Sequence, residues 1–313
     1  MIKEEQVKIQ KDGSKKELES ASHDILKEFP IADYLRLVKD HLGYNRLSYV
    51  KKLRIPKRII SRMSSKYNAS IINLYLKFAL ICSIWDSLEQ LKYKNLPDEI
   101  VRLYHEWFEN ILEDFSIQPN CYYHHSCSSF FMDIKICTLK YIPVGGAWIV
   151  EVSRVGFHPF IADGLKQCID YFKFLTFKTR GYTFFYVIHT APRYIGRFNK
   201  EEMDLSYRRI SELLKLNPRI KGLYRRSWFL DPGLEQISPE LLYLREIPQL
   251  NGARVFSNGF KKRDNELALT MSPRRKKLYS LGIYQPTSYA YIWPRKNLLE
   301  WAERTSSHIS SNK

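Results

Sequence analysis

Tyr182 to His189 reads YTFFYVIH, a continuous run of aromatic and β-branched residues, and Thr190-Ala191-Pro192-Arg193 follows it. A run that is apolar on both faces suits the middle of a sheet covered from both sides. Downstream, Asn199 to Leu216 reads as a helix, with Glu201, Glu202 and Asp204 in its first turn and Lys215 in its last, as the helix dipole favours. Asn217-Pro218 stops it, and Ile220 to Leu230 reads as the next strand. Upstream, Gly164 to Phe177 reads as a helix and Ala147 to Phe157 (AWIVEVSRVGF) as a strand. Gly145-Gly146 supplies a turn, and Phe130 to Ile142 (FFMDIKICTLKYI) alternates in polarity, so these two segments are predicted to form a hairpin. Strand and helix alternate across this region, which predicts an α/β fold, with α+β as the neighbouring class: a mixed sheet covered by helices.

Residues 1–20 are polar and lysine-rich and read as a loose basic tail. Apolar residues then recur at steps of three and four from Ile25 to Leu37, from Asn68 to Leu91 and from Pro97 to Phe115, so 21–117 reads as a helical region. Residues 118–313 form the predicted α/β domain, closed by helices at Leu267 to Leu281 and Pro294 to Arg304. The apolar stretch Asn68 to Trp85 approaches membrane-span length but contains Asn68, Asn73 and Lys77. It reads as a buried helix, with a membrane-lying helix as the other possibility.

A hydrophobic content of 44% over 313 residues excludes global disorder, and 13 Gly and 14 Pro exclude collagen-like and low-complexity chains. Fifty Lys and Arg stand against 33 Asp and Glu, a formal charge of +17 that draws phosphates and other anions to the surface. The densest basic run contains Arg46, Lys51, Lys52, Arg54, Lys57, Arg58, Arg62 and Lys66, with Tyr49 and Tyr67 beside it. It reads either as a nucleic-acid or polyanion surface or as a solvated helical face. Five cysteines, an odd number, argue against a disulfide framework, and the charged N-terminus does not read as a signal peptide, so the expected location is cytoplasmic.

Cys121, His124, His125 and Cys127 are zinc-ligand types, but no second pair follows at a zinc-site spacing, so no metal is expected. No P-loop, G-x-G-x-x-G, H-E-x-x-H, kinase or G-x-S-x-G pattern is present. Polar groups at strand ends remain. His189 closes one strand at the carboxyl edge where α/β folds place ligands, and reads as a base or as a cap on the Pro192 turn. Arg193 could pair with a phosphate or carboxylate. Ser227 and Asp231 end the next strand and come within reach of His189 if the two strands are neighbours.

Arg225 to Phe256 (RRSWFLDPGLEQISPELLYLREIPQLNGARVF), with Tyr284 to Trp301, resembles a block of uncharacterised bacterial proteins. The order of strands and helices from the hairpin to Leu230 is also similar to that of GNAT acyltransferases. That resemblance implies transfer of an acyl group from a thioester carrier to an amine or hydroxyl. The loop Phe157 to Gly164 would lie near the carrier, with Gly164 alone where the family has R/Q-x-x-G-x-G/A. The expected roles are then Glu151 or His189 as base, Ser227 and Asp231 beside them, and Arg154, His158, Gly164, Arg193 and Trp228 on substrate or carrier. The expected co-substrate is acyl-CoA or acyl carrier protein, with no permanently bound cofactor.

Overall fold

A computed structural model describes residues 2–42, 54–117, 128–270 and 272–310. Two compact units divide the chain: residues 1–143 with 191–193, and residues 144–190 with 194–313.

The first unit is helical: α1 (Glu4–Ala21), α2 (Ile25–Glu28), α3 (Ile31–Leu42), α4 (Arg54–Ser64), α5 (Ala69–Tyr93), α6 (Asp98–Ile117) and α7 (Ser128–Cys137). Its centre is α5, started by Asn68, whose side-chain oxygen accepts from the Ile71 amide at 3.0 Å. Leu76, Ala79, Leu80, Ile81 and Ile84 are all fully buried, so apolar residues surround this helix rather than striping it. Its most apolar window is 72% buried, which is the packing of a core helix.

Two expectations are corrected here. Residues 4–21 are not a loose tail but α1, which packs on α5. Its buried positions Val7, Ser14 and Leu18 follow steps of seven and four, a stripe too sparse to register as an apolar period. The predicted strand Phe130 to Ile142 is largely α7. Its polar residues are buried with partners: Asp133 accepts from Trp107 Nε1 at 3.0 Å, and Lys135 donates to the Tyr141 hydroxyl at 2.8 Å. Alternation in polarity was therefore no alternation in exposure.

The second unit holds most of a six-stranded sheet: β1 (Ile142–Gly145), β2 (Trp148–Ser153), β3 (Phe185–Thr190), β4 (Gly222–Ser227), β5 (Arg254–Gly259) and β6 (Ser288–Pro294), in the order β1-β2-β3-β4-β6-β5. The Gly145-Gly146 turn joins β1 to β2, both glycines at positive φ. β3 and β4 pair in parallel, whereas β2–β3, β4–β6 and β5–β6 are antiparallel. The parallel crossover runs through the 3-10 turn Pro192–Arg197 and α10 (Lys200–Leu216), after α8 (His158–Ile161) and α9 (Gly164–Lys173).

After β4 come α11 (Leu234–Ile237), α12 (Tyr243–Leu250), α13 (Lys262–Thr270), α14 (Pro273–Ser280) and α15 (Arg295–Ser310). The single helix expected over Leu267 to Leu281 is thus two, because Ser272 caps a fresh helix that begins at Pro273.

Helices cover both faces of the sheet, as the sequence predicts. On one, Tyr171, Phe174 and Leu175 pack on Phe185, Tyr224, Phe256 and Ile292. On the other, Tyr207 of α10 meets Trp293 and Trp301 edge to face, with ring centres 5.1 and 5.7 Å away. Gly222 opens β4 at φ +153, and a Cβ there would stand 2.2 Å from the Trp293 carbonyl oxygen. Gly222→Ala is expected to cost about 1–3 kcal/mol, read as a lower denaturant midpoint with unchanged slope.

Candidate active site

The two parallel strands share a short ladder, Tyr186↔Leu223 and Val187↔Tyr224, and both carboxyl ends extend beyond it. They are therefore neighbours, the condition set for Ser227 and Asp231 to come within reach of His189. On the other side, β2 runs antiparallel to β3 with Ile149↔His189 and Glu151↔Val187 in register. Alternation then puts Glu151 and His189 on one face as diagonal neighbours, within side-chain reach. His189 Nε2 lies 3.1 Å from Glu151 Oε1, the side chains being 34% and 17% exposed. A carboxylate in this position holds one tautomer of the ring and stabilises the imidazolium when the ring takes a proton.

Three cationic or basic groups gather on the same face of the sheet. Arg226 stands two positions beyond the last parallel pair on β4, as His189 does on β3. His158 opens α8, and its Nδ1 accepts from Lys261 Nζ at 3.1 Å. Desolvation, then the charges of Lys261 and Arg226, push the His158 pKa down, so its ring is neutral at pH 7.

The remaining sequence-derived candidates are placed elsewhere. Ser227 is on the opposite face of β4 from Arg226, and its Oγ accepts from the Phe229 amide at 3.1 Å, capping the 3-10 turn Trp228–Leu230. Asp231 is buried, and its carboxylate accepts from the Gly233 amide at 2.9 Å, the Thr287 amide at 2.9 Å and the Tyr284 hydroxyl at 3.1 Å. It is a loop clamp, not a partner of His189. Trp228 is buried among Leu234, Ala268 and Tyr284, with the Arg275 guanidinium 4.6 Å from its ring centre.

Arg193 belongs to the helical unit, where it pairs with Asp114 and, at 2.7 Å, with Asp133, so its charge is answered within the protein. Arg154 follows β2 and is half-buried. Gly164 is the first residue of α9 at φ +71. The Phe157–Gly164 segment leaves β2, which is antiparallel to β3, and so is not part of the parallel crossover.

The basic run is partly consumed by its own unit. Lys66 pairs with Glu28 at 2.8 Å, Lys57 lies 5.7 Å from the Phe131 ring centre and Arg62 lies 6.0 Å from that of Phe29. Arg54 and Arg58 also lie on α4, whereas Arg46, Lys51, Lys52 and the Cys121–Cys127 cluster fall outside the described residues. Among the described residues, no group of three or more His, Cys, Asp or Glu is placed to hold a metal ion.

Sequence reasoning missed Arg226, and it missed Arg225 on the opposite face. Arg225 is 2% exposed, its guanidinium 4.2 Å from the centre of the Trp148 ring and 5.6 Å from that of Phe229. The Tyr291 hydroxyl is close by, and among the described residues Nη1 and Nη2 have no partner at hydrogen-bond geometry. The dipeptide Arg225-Arg226 reads as two solvated charges, and only the strand period separates the buried one from the exposed one. A groove of about 520 Å³ lies elsewhere in this unit, lined by Phe198–Lys200, Pro239–Tyr243 and Glu246. None of the sequence-derived candidates lines it.

No protein-family model matches the sequence, and no curated protein matches it. Solved structures with a similar chain course include an acyltransferase in complex with decanoyl-CoA and teicoplanin, at 12% identity and a TM-score of 0.46, covering 84% of this chain and 87% of that one. An acyltransferase in complex with CoA and 10C-teicoplanin aligns at 11% identity and a TM-score of 0.47, covering 85% of this chain and 88% of that one.

Proposed function

We propose that the second unit is a group-transfer enzyme that moves an acyl group from a thioester carrier to an amine or hydroxyl. The observation that carries this reading is the His189–Glu151 pair, 3.1 Å apart and reachable from solvent at the carboxyl end of β3. The imidazole takes the proton of the attacking amine or hydroxyl while Glu151 steadies the charge that forms on the ring. The new carbon–nitrogen or carbon–oxygen bond forms as the carbon–sulfur bond breaks, and the departing thiolate recovers the proton. Arg226 and Lys261, on the same face, suit the phosphates of CoA or of a phosphopantetheine arm.

The test is thiol release from decanoyl-CoA, with octanoyl-CoA and an acylated carrier protein alongside, in the presence of a panel of amines and alcohols. Release that requires both protein and acceptor is the expected result. Neither binding nor release with any of the three donors would remove the reading.

A further inference from the structure

One helix of the second unit is apolar on two opposite sides. The inner side of α9 is fully used: Tyr171 packs edge to face on Phe256 with ring centres 4.8 Å apart, and Gln167 is tied to the β5 backbone through Ser257, accepting from its amide at 2.8 Å and donating to its carbonyl at 3.0 Å. Yet Leu165, Ile169 and Phe172, at steps of four and three, form a second apolar stripe facing outward, and Ile161, the last residue of the preceding α8, is exposed as well. Ile161 is 79% exposed, Leu165 75% and Phe172 59%. Folding of this unit does not account for that stripe, because the core contacts of α9 are made by its other side.

The patch extends beyond the helix. The Phe157 ring lies 6.2 Å from that of Tyr182, and both residues are exposed. Gly259 approaches Ala162, the residue that follows α8, which brings the exposed Phe260 alongside. Large apolar side chains left exposed together in this way mark an interaction site. The charge around it says with what. Lys166, Lys173, Lys178, Arg180, Lys262 and Arg263 are exposed on the same segments against the exposed acids Asp163 and Glu266, and Asp170 is taken up by Arg254 at 2.9 Å, so the balance is basic. Two copies meeting through this face would bring like charges together, which disfavours self-association.

We propose that this face seats the protein on an anionic lipid bilayer. Ile161, Leu165, Ile169 and Phe172 enter the boundary between headgroups and acyl chains, and the surrounding lysines and arginines meet the lipid phosphates. The buried α5 takes no part, and the seat does not depend on the chemistry assigned to His189.

Flotation of the full chain with phosphatidylcholine vesicles containing about 30% phosphatidylserine tests it. The protein is expected to float, with the bound fraction falling about tenfold on pure phosphatidylcholine and falling again as salt is raised. The variant I161E/L165E/F172E should remain at the bottom of the gradient with an unchanged unfolding temperature, since all three side chains are exposed. Failure of the wild type to float, or equal flotation of this variant, overturns the proposal. So does a wild type that is dimeric and does not float while the variant is monomeric, because a second copy would then occupy the face.

Discussion

His189→Ala is expected to lower the rate of acyl transfer by about 100- to 10,000-fold while leaving the unfolding temperature in place, because the imidazole supplies a proton acceptor and little of the core. The side chain is 34% exposed and ends a strand, so its removal opens no enclosed cavity. Glu151→Gln is expected to have a smaller effect on the same step, because the amide still accepts a hydrogen bond from the ring but no longer stabilises its charged form. Initial rates of thiol release check both. Equal rates for the wild type and His189→Ala would remove His189 from the chemistry.

Asp231→Ala should do the reverse. Three donors converge on the Asp231 carboxylate, two of them backbone amides, and its residue is 6% exposed. Truncation leaves those donors without an acceptor in a place water scarcely reaches, at a cost of about 3 kcal/mol. For a chain of 313 residues that corresponds to a fall of roughly 4–5 °C in unfolding temperature. Below the new transition, the rate per folded molecule should stay within about twofold of wild type, a small change on the transition-state scale. Thermal unfolding followed by circular dichroism, set beside thiol release at a low temperature, separates the two effects. A large loss of rate without loss of stability would return Asp231 to the site.

What was legible in the sequence depended on how far a residue's neighbours in space are also its neighbours in the chain. The run YTFFYVIH declared a central strand because its apolar character is continuous, and β3 does lie inside the sheet. Acids in the first turn and Lys215 in the last marked α10 at both ends, and the structure adds Asn199 as its cap. His189 could be singled out because it ends that strand, whereas Glu151 entered only as the alternative base implied by the resemblance to GNAT acyltransferases.

Other features were set by long-range packing. Asp231 and Arg193 look reactive in one dimension, but their partners, Tyr284 and Thr287 for the first and Asp114 and Asp133 for the second, are distant in sequence. FFMDIKIC reads as a strand until Asp133 and Lys135 find buried partners, which allows the same residues to be helical on all sides. The stripe at Leu165, Ile169 and Phe172 has a helical period, and nothing in the sequence distinguishes it from a core stripe. Tyr171 and Phe174 claimed that role instead.

The guanidinium held between Trp148 and Phe229 binds two positions into one unit of inheritance. Arginine can lie flat on a ring and remain charged where lysine, a compact and strongly hydrated ammonium, cannot. Without the indole the cation would be stranded in a dry interior, and without the cation the indole would face a void. Descendants of this chain should therefore keep residues 148 and 225 together or exchange both, and a lone change at either should be rare among them.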